Sequence, residues 1–230
     1  MEDSTAAEVR RRVLGSGDRF WHVAQFHGPA HAVALELRRL VQAGELERVR
    51  RGTYWRGRKS RFGRTAPAAI QALRRVVARS EAVGAAGWYA TNLLGLSTQV
   101  SPVPVVSVTA RPPEGLHGVR LIDRSARRGR RDARLNVTEV TILEALDGWD
   151  RYVELDRRAA MKRFIQLLGT PEVRIDRLVR ASSTESPRVR ERLRAVLSAG
   201  GWADEAGEVQ AARSRSSREG ALRVVEGVPG

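Results

Sequence analysis

The stretch from Gly28 to Trp55 constrains the fold more than any other part of the sequence, because an amphipathic helix runs directly into a short basic hairpin. Pro29 suits the first position of a helix, and Gly44 suits a position just past its end. Apolar residues recur between them at helical spacing, at Val33, Leu37, Leu40 and Val41. Arg50–Arg51–Gly52 then predicts a tight turn before the strand-forming Thr53–Tyr54–Trp55. This order is typical of the second half of a winged helix, a DNA-binding module.

The residues before this stretch predict the rest of such a module. Thr5 and Glu8 have the spacing of a capping box at the start of a helix, which Gly15 then ends. Arg19–Phe20–Trp21 is predicted to pair with the hairpin as a short strand, and 22–26 to form a short second helix. We therefore predict an α+β fold, with an N-terminal winged helix-turn-helix followed by a mixed α/β C-terminal domain.

The outward face of the predicted recognition helix carries the side chains that we expect to contact DNA bases. At about 100° per residue, Leu35 and its neighbours on this face fall opposite the apolar stripe. Arginine favours guanine and glutamine favours adenine, so base contacts are predicted for His31, Arg38, Arg39 and Gln42. Phosphate contacts are predicted for the basic residues of the hairpin and of the segment after it: Arg48, Arg50, Arg51, Arg56, Arg58 and Lys59.

Charge and composition favour a nucleic-acid partner. The chain has 230 residues, 41 of them basic and 26 acidic, for a net charge of +15, which predicts salt-sensitive binding to polyanions. Because arginine supplies nearly all of this charge, a GC-rich genome offers a second explanation for part of it. No cysteine is present, which excludes disulfides, thiolate zinc sites and thiol catalysis. No run is long and apolar enough to span a bilayer, and the N-terminus does not look like a secretory signal, so we expect a cytoplasmic protein.

The sequence predicts two domains, a linker and a tail. Residues 1–60 form the DNA-binding domain, 61–66 a basic linker, 67–200 an α/β domain and 201–230 a flexible tail. In the α/β domain we predict a short helix ending near Gly95 and a strand within 103–109. The predicted longer helices are 67–80, 138–146, 156–168, 174–181 and 187–199.

The arginine-rich run from 124 to 134 is predicted to be a solvated loop or turn between two strands, 118–123 and 133–136. A run of this kind is more often exposed to solvent than bound to a ligand. Contact of this run with nucleic acid stays open at this point.

Two stretches resemble one known family. GWYATNLLGLSTQVSPVPVVSVTA, residues 87–110, resembles the segment that follows the winged helix in AbiEi-type antitoxins of bacterial toxin–antitoxin and abortive-infection systems, and LRRLVQAGELERVRRGTYW is similar to the DNA-binding module of that family. The resemblance covers most of residues 5–165, while Ser101–Pro102 and the arginine-rich run depart from it. It implies an antitoxin that represses its own operon through operator inverted repeats. It also implies a nucleotidyltransferase-like toxin, countered by direct or indirect action of the second domain.

The sequence shows no sign of an active site. It lacks a GxGxxG loop, a Walker A loop and a GxSxG elbow. His27 and His31 have the spacing of metal ligands on a helix but no third ligand near them, and the pair Asp147 and Asp150 is interpreted as surface carboxylates. We predict no enzymatic activity, no metal and no cofactor. Three alternatives stay open: a protein-docking adaptor, a stand-alone transcriptional regulator, and an enzyme whose polar residues converge only in the folded domain.

Overall fold

The computed structural model describes residues 4–57, 59–60, 63–64, 68–114, 116 and 118–226. Helices and small sheets alternate along this part of the chain, which agrees with the predicted α+β class. It divides into two compact units, one comprising Met1–Ala72 with Pro113–His117 and the other Leu73–Pro112 with Gly118–Gly230. The return of 113–117 to the first unit has no counterpart in the sequence prediction. None of the described helices is both long and apolar enough to cross a membrane.

The first unit has the element order that the sequence predicts. Its elements are helix α1 (Thr5–Leu14), strand β1 (Arg19–His22), a 3-10 turn (Val23–Gln25), helix α2 (Ala30–Gln42), and strands β2 (Glu47–Arg50) and β3 (Thr53–Arg56). The predicted capping box of Thr5 and Glu8 is wrong by one residue. Helix α1 begins at Thr5 because the Ser4 hydroxyl accepts the amide proton of Ala7, 3.3 Å away.

Helix α2 buries the stripe that its sequence predicts. Val33, Leu37 and Leu40 are buried in a core with residues of α1, and Val41 packs against the edge of that core. Gly44 ends the helix with φ at 69°, a left-handed conformation that glycine adopts at no steric cost. The amide of Glu45 then donates to the carbonyl of Leu40 at 2.8 Å, so the chain turns at once toward β2.

The three strands of the first unit form an antiparallel sheet in the order β1-β3-β2. Phe20 lies opposite Trp55, and their rings are 4.7 Å apart. Gly52, with φ at 77°, closes the turn between β2 and β3. The predicted pairing of 19–21 with the hairpin is therefore confirmed.

A short hairpin spans the boundary between the predicted DNA-binding domain and the predicted linker. Strands β4 (Lys59–Ser60) and β5 (Gly63–Arg64) pair antiparallel, while 61–62 and 65–67 lie outside the described residues. The helix predicted over 67–80 is shorter in the structure: α3 covers Ala69–Arg74. Of the large apolar residues within the predicted range, Leu73 is buried, whereas Ile70, Val76 and Val77 are half-buried.

The second unit begins with a small mixed sheet. Strands β6 (Val83–Ala85), β7 (Val105–Val108) and β8 (Arg120–Asp123) lie in that order, β6 antiparallel and β8 parallel to β7. Helix α4 (Gly87–Leu93) lies between β6 and β7 in the chain, and it is the helix predicted to end near Gly95. A side chain at Gly84 would meet Val140 at 2.6 Å, so the glycine lets the next long helix lie directly on the sheet.

Helices form the rest of the second unit. They are α5 (Gly129–Asp132), α6 (Val137–Asp147), α7 (Trp149–Tyr152), α8 (Arg157–Leu168), α9 (Ile175–Ser182) and α10 (Pro187–Ala199). The predicted helices at 138–146, 156–168, 174–181 and 187–199 are confirmed to within a residue or two at each end. The strand predicted at 133–136 is wrong. These residues connect α5 to α6, and Asn136 caps α6 by accepting the amide proton of Glu139 at 2.9 Å.

The C-terminal segment contains two helices within the described residues. Helices α11 (Ala203–Glu208) and α12 (Arg215–Glu226) occupy most of the region that the sequence predicts to be a flexible tail. Small apolar side chains of this region are buried: Ala206, Val209, Ala212 and Ala221. Small residues suffice here because α10 provides the surface against which α12 packs.

Candidate nucleic-acid interface

The outward face of α2 does not pack into the core and is exposed to solvent, as the helical periodicity predicts. His31, Arg38 and Gln42 are exposed, and Leu35 between them is 43% exposed. Spacings of three and four residues place these side chains along one stripe of the helix. No carboxylate within the described residues lies within ion-pair distance of Arg38. The stripe therefore offers a guanidinium, a carboxamide and an imidazole to whatever approaches it.

Aromatic and cationic contacts hold the segment that leads into α2. Trp21 stacks on Phe26 with 5.1 Å between ring centroids. The guanidinium of Arg19 lies 4.4 Å from the centre of Trp21, and that of Arg12 lies 4.9 Å from the centre of Phe26. Arg12 also donates to the carbonyl of Gln25 at 3.0 Å. These contacts fix the start of α2, and with it the direction of the exposed stripe.

Arg39 differs from Arg38 because it has a partner beneath it. Glu36 is 1% exposed and accepts from Arg10 at 2.9 Å and from Arg39 at 3.4 Å. Arg39 is still 59% exposed, so it borders the stripe while it helps to neutralise Glu36. The sequence prediction places Arg39 correctly on the flank. It does not identify Glu36 as a buried carboxylate that joins α2 to α1.

The hairpin between β2 and β3 carries part of the predicted phosphate-binding set. Arg51 in its turn and Arg48 in β2 are exposed, and Arg50 is half-buried. Arg56 does not join them, because its guanidinium donates to Glu45 at 2.9 Å and its side chain is only 14% exposed. Arg58 lies outside the described residues, as does the side chain of Lys59, whose backbone belongs to β4.

The histidines show no metal-binding arrangement within the described residues. His27 and His31 are both exposed, and His22 lies with its Nδ1 3.3 Å from the Thr53 hydroxyl, where it joins β1 to β3. No group of three or more potential ligands that could hold a metal ion occurs in the part of the chain that the structure describes.

The second unit contains a buried ion-pair cluster that sequence analysis missed. Arg124, Arg127 and Arg130 come from the arginine-rich run, and their partners Glu144, Asp147 and Glu185 come from α6 and the turn before α10. Arg130 is fully buried and donates to Glu144 at 2.5 Å and to Glu185 at 2.6 Å. Arg127 also bonds to Glu185. The prediction of a solvated loop is therefore wrong for Arg124, Arg127 and Arg130.

The cluster keeps Glu144 ionised. Burial alone would raise the pKa of Glu144, but hydrogen bonds from Arg124 and the charge of Arg130 outweigh it and lower that pKa to about 2. Burial likewise works to lower the pKa of Arg130, and hydrogen bonds with Glu185 together with the two carboxylate charges raise it above its ordinary value. Three cations and three anions thus neutralise one another inside the unit.

An open cleft of about 550 Å³ lies beside this cluster, within the second unit. Trp88 and Tyr152 form part of its wall, edge to face at 5.3 Å, and Arg120 and Arg188 add positive charge. Asp147 and Asp150 also line it. Asp150 is 43% exposed, as predicted for a surface carboxylate, whereas Asp147 is only 15% exposed. Asp147 accepts from Arg124 and Arg127, and Asp150 accepts from the buried Arg192 at 2.6 Å.

One spacing in the sequence could have revealed the cluster. The arginines recur every three residues at 124, 127 and 130, and Glu144 and Asp147 are also three apart on the predicted helix. Two such series of opposite charge can face one another. The spacing cannot show whether they meet each other or water, because that depends on which face α6 turns inward.

Residues 19–123 match the model of a family of unknown function, DUF6088. This match begins at β1 and ends with β8. A crystal structure of the RV2827C protein from Mycobacterium tuberculosis is similar at 15% sequence identity and a TM-score of 0.48, over 84% of this chain and 77% of that one. No curated protein matches the sequence.

Proposed function

We propose that this chain is a DNA-binding antitoxin that represses its own operon and counters a nucleotidyltransferase-like toxin. In this proposal the first unit is a winged helix, α2 is its recognition helix, and the β2–β3 hairpin is its wing. The observation that carries the proposal is the exposed stripe of His31, Arg38 and Gln42 on a helix followed at once by an arginine-tipped hairpin. The sequence resemblance to AbiEi-type antitoxins supplies the regulatory context.

Base and phosphate contacts divide between the two elements in this proposal. Arg38 and Gln42 are placed to bond with base edges in the major groove of operator DNA, with His31 and Arg39 beside them. Arg48, Arg50 and Arg51 contact phosphates. Arg56 is left out because Glu45 already neutralises it. The chain acts in the cytoplasm as a binding protein without catalytic activity, and the second unit carries the antitoxin role.

Leu35 favours one competing function. It is 43% exposed in the middle of the stripe, and an apolar side chain among polar ones also suits contact with another protein. The competing function is a docking adaptor whose α2 binds a protein partner. A stand-alone regulator would bind DNA in the same way, but its second unit would have no toxin to counter.

The DNA-binding part is tested by fluorescence anisotropy with the region upstream of the operon and a random duplex of equal length, at several salt concentrations. Arg38→Ala is expected to reduce the preference for the upstream fragment by about 1–3 kcal/mol, or roughly fivefold to more than a hundredfold. Arg51→Ala is expected to weaken both duplexes equally and to lower the salt slope by about one. Arg157→Ala, an exposed arginine of α8, is the matched charge control.

Two results would separate the alternatives. Selective binding that Arg38→Ala removes supports operator recognition, whereas unchanged binding by Arg38→Ala and Arg51→Ala rejects this interface and leaves the docking adaptor. The antitoxin role is tested separately, by co-expressing the chain with a nucleotidyltransferase-like toxin encoded beside it. Growth rescue by wild type and by Arg38→Ala alike would place neutralisation outside the DNA-binding stripe.

A further inference from the structure

The arginine-rich run from 124 to 134 divides into an inward and an outward set. Arg124, Arg127 and Arg130 point inward and pair with buried carboxylates. Arg128 and Arg134 are exposed, and within the described residues neither has a carboxylate at ion-pair distance. The inward set therefore serves the core, and the outward set is available for a ligand.

The outward arginines meet two more on α9 around an open pocket of about 610 Å³ within the second unit. Arg128 and Arg134 line one side, and Arg177 and Arg180 line the other, with Ser183 and Thr184 beside them. Asp132 is the carboxylate of this lining, and it already accepts from Arg131 at 3.2 Å. Arg180 forms an ion pair with the exposed Asp176 at 2.6 Å. The pocket consequently carries a clear excess of positive charge.

The pocket is rigidly built. Gly129 lies so close to α9 that a side chain there would meet the Ala181 carbonyl and the Thr184 hydroxyl, both at 2.7 Å. The amide of Gly129 donates to that hydroxyl at 3.0 Å. Arg130 and Glu185, which follow Gly129 and Thr184 in the sequence, form their buried pair. The two walls are thus held together before any ligand arrives, which reduces the entropy lost on binding.

Arg134 shows a second sign of a fixed site. Its φ of 52° is left-handed, an uncommon conformation for a residue other than glycine. Guanidinium groups of Arg174 and Arg177 donate to its carbonyl, each at 3.2 Å. These bonds stabilise the backbone in the conformation that places Arg134 on the rim of the pocket. Strain of this kind persists only where the surrounding structure holds it.

We infer that this pocket binds the phosphodiester backbone of nucleic acid. Guanidinium groups bind phosphate oxygens through paired donors and keep their charge at any working pH. An open pocket with four arginines on its two walls suits the repeated charges of a strand. Because these contacts involve phosphate and not bases, the binding is independent of sequence. The inference goes beyond the proposed function, since it concerns a separate site in the second unit and does not require an operator.

The test compares two triple variants of the full chain on random-sequence duplex DNA. The pocket variant is Arg128→Ala, Arg134→Gly and Arg177→Ala; glycine is chosen at 134 because it accepts the left-handed backbone. The control variant is Arg157→Ala, Arg158→Ala and Lys162→Ala, three exposed residues of α8. Both variants remove three positive charges from the second unit. Thermal unfolding of both checks that the fold is kept.

Three lost phosphate contacts are expected to lower the slope of log affinity against log salt by about 2.7. Between 50 and 200 mM salt, wild type would then lose about 40-fold more affinity than the pocket variant. The control variant is expected to keep the wild-type slope. Equal slopes for the two variants would overturn the inference, because the effect would then come from net charge alone.

Two further arms separate the possible outcomes. Calorimetric titration with inorganic pyrophosphate that shows binding by wild type, together with an unchanged DNA slope in the pocket variant, would overturn the nucleic-acid assignment in favour of a small phosphorylated ligand. Arg38→Ala measured in parallel keeps the two proposals apart. Loss of operator preference in Arg38→Ala without a slope change concerns the first unit. A smaller slope of the pocket variant on random DNA, relative to the α8 control variant, concerns the pocket whether or not an operator is recognised.

Discussion

Replacing Arg130 by methionine should destabilise the second unit strongly. The guanidinium is fully buried and makes three hydrogen bonds, at 2.5 Å to Glu144 and at 2.6 and 3.0 Å to Glu185. Methionine fills a similar volume but removes one cationic partner from each of the two carboxylates, Glu144 and Glu185. Removing one member of a buried ion pair typically costs about 3–5 kcal/mol. Arg124 still pairs with Glu144 and Arg127 with Glu185, so we do not expect a larger loss.

Urea denaturation followed by circular dichroism measures the total loss in the free energy of unfolding. Hydrogen exchange of peptides from α6 assigns it to the second unit. A loss of 3–5 kcal/mol corresponds to a fall in Tm of roughly 6–20 °C for a unit of this size. Arg215→Ala removes an exposed pair with Glu219 on α12, and this control should cost less than about 0.5 kcal/mol.

A double variant tests the physical reason. Arg130→Met combined with Glu185→Leu removes a buried anion together with the cation, so it should be more stable than Arg130→Met alone. An Arg130→Met protein as stable as the Arg215→Ala control would refute the reasoning, since the cluster would then contribute no more than a surface pair. A double variant with two additive losses would show that the unpaired charge is not the source of the cost.

Two other predictions concern the same unit. Because the folded-state pKa of Glu144 is lowered from 4.5 to about 2, its ionised form stabilises the unit above about pH 5 by up to about 3 kcal/mol. That contribution should fade as pH falls from about 5 to about 2. In Glu144→Gln, the free energy of unfolding should therefore fall less over this pH range than in wild type. Parallel curves of unfolding free energy against pH for the two proteins would contradict this. Gly129→Ala should lower the free energy of unfolding by at least about 1–3 kcal/mol, because its methyl group meets α9. Gly207→Ala, with open space around it in α11, should instead stabilise the protein by about 0.5–1 kcal/mol. Equal unfolding midpoints for the two variants would contradict the close approach of α5 and α9.

Local patterns in the sequence determined most of the regular elements. Pro187 and Gly200 bound α10, the apolar stripe of α2 fixed its buried face, and the Arg51–Gly52 turn set the hairpin. These signals act within a few residues through backbone conformation, capping and periodicity. For the same reason the sequence correctly predicted that Arg38 and Gln42 are exposed, since a helix that buries one face must present the other to solvent.

Only the tertiary structure decided which charges are buried and which are free. Arg127 and Arg128 are neighbours of identical chemistry, yet one pairs with Glu185 and the other lines an open pocket. Arg56 likewise resembles Arg51 in sequence but is neutralised by Glu45. The fate of each guanidinium depends on carboxylates up to 58 residues away, and on whether desolvation is offset by a partner in the right geometry. Chain-local patterns carry no information on that balance, so the buried cluster and the arginine pocket emerge only when α5, α6 and α9 are packed together.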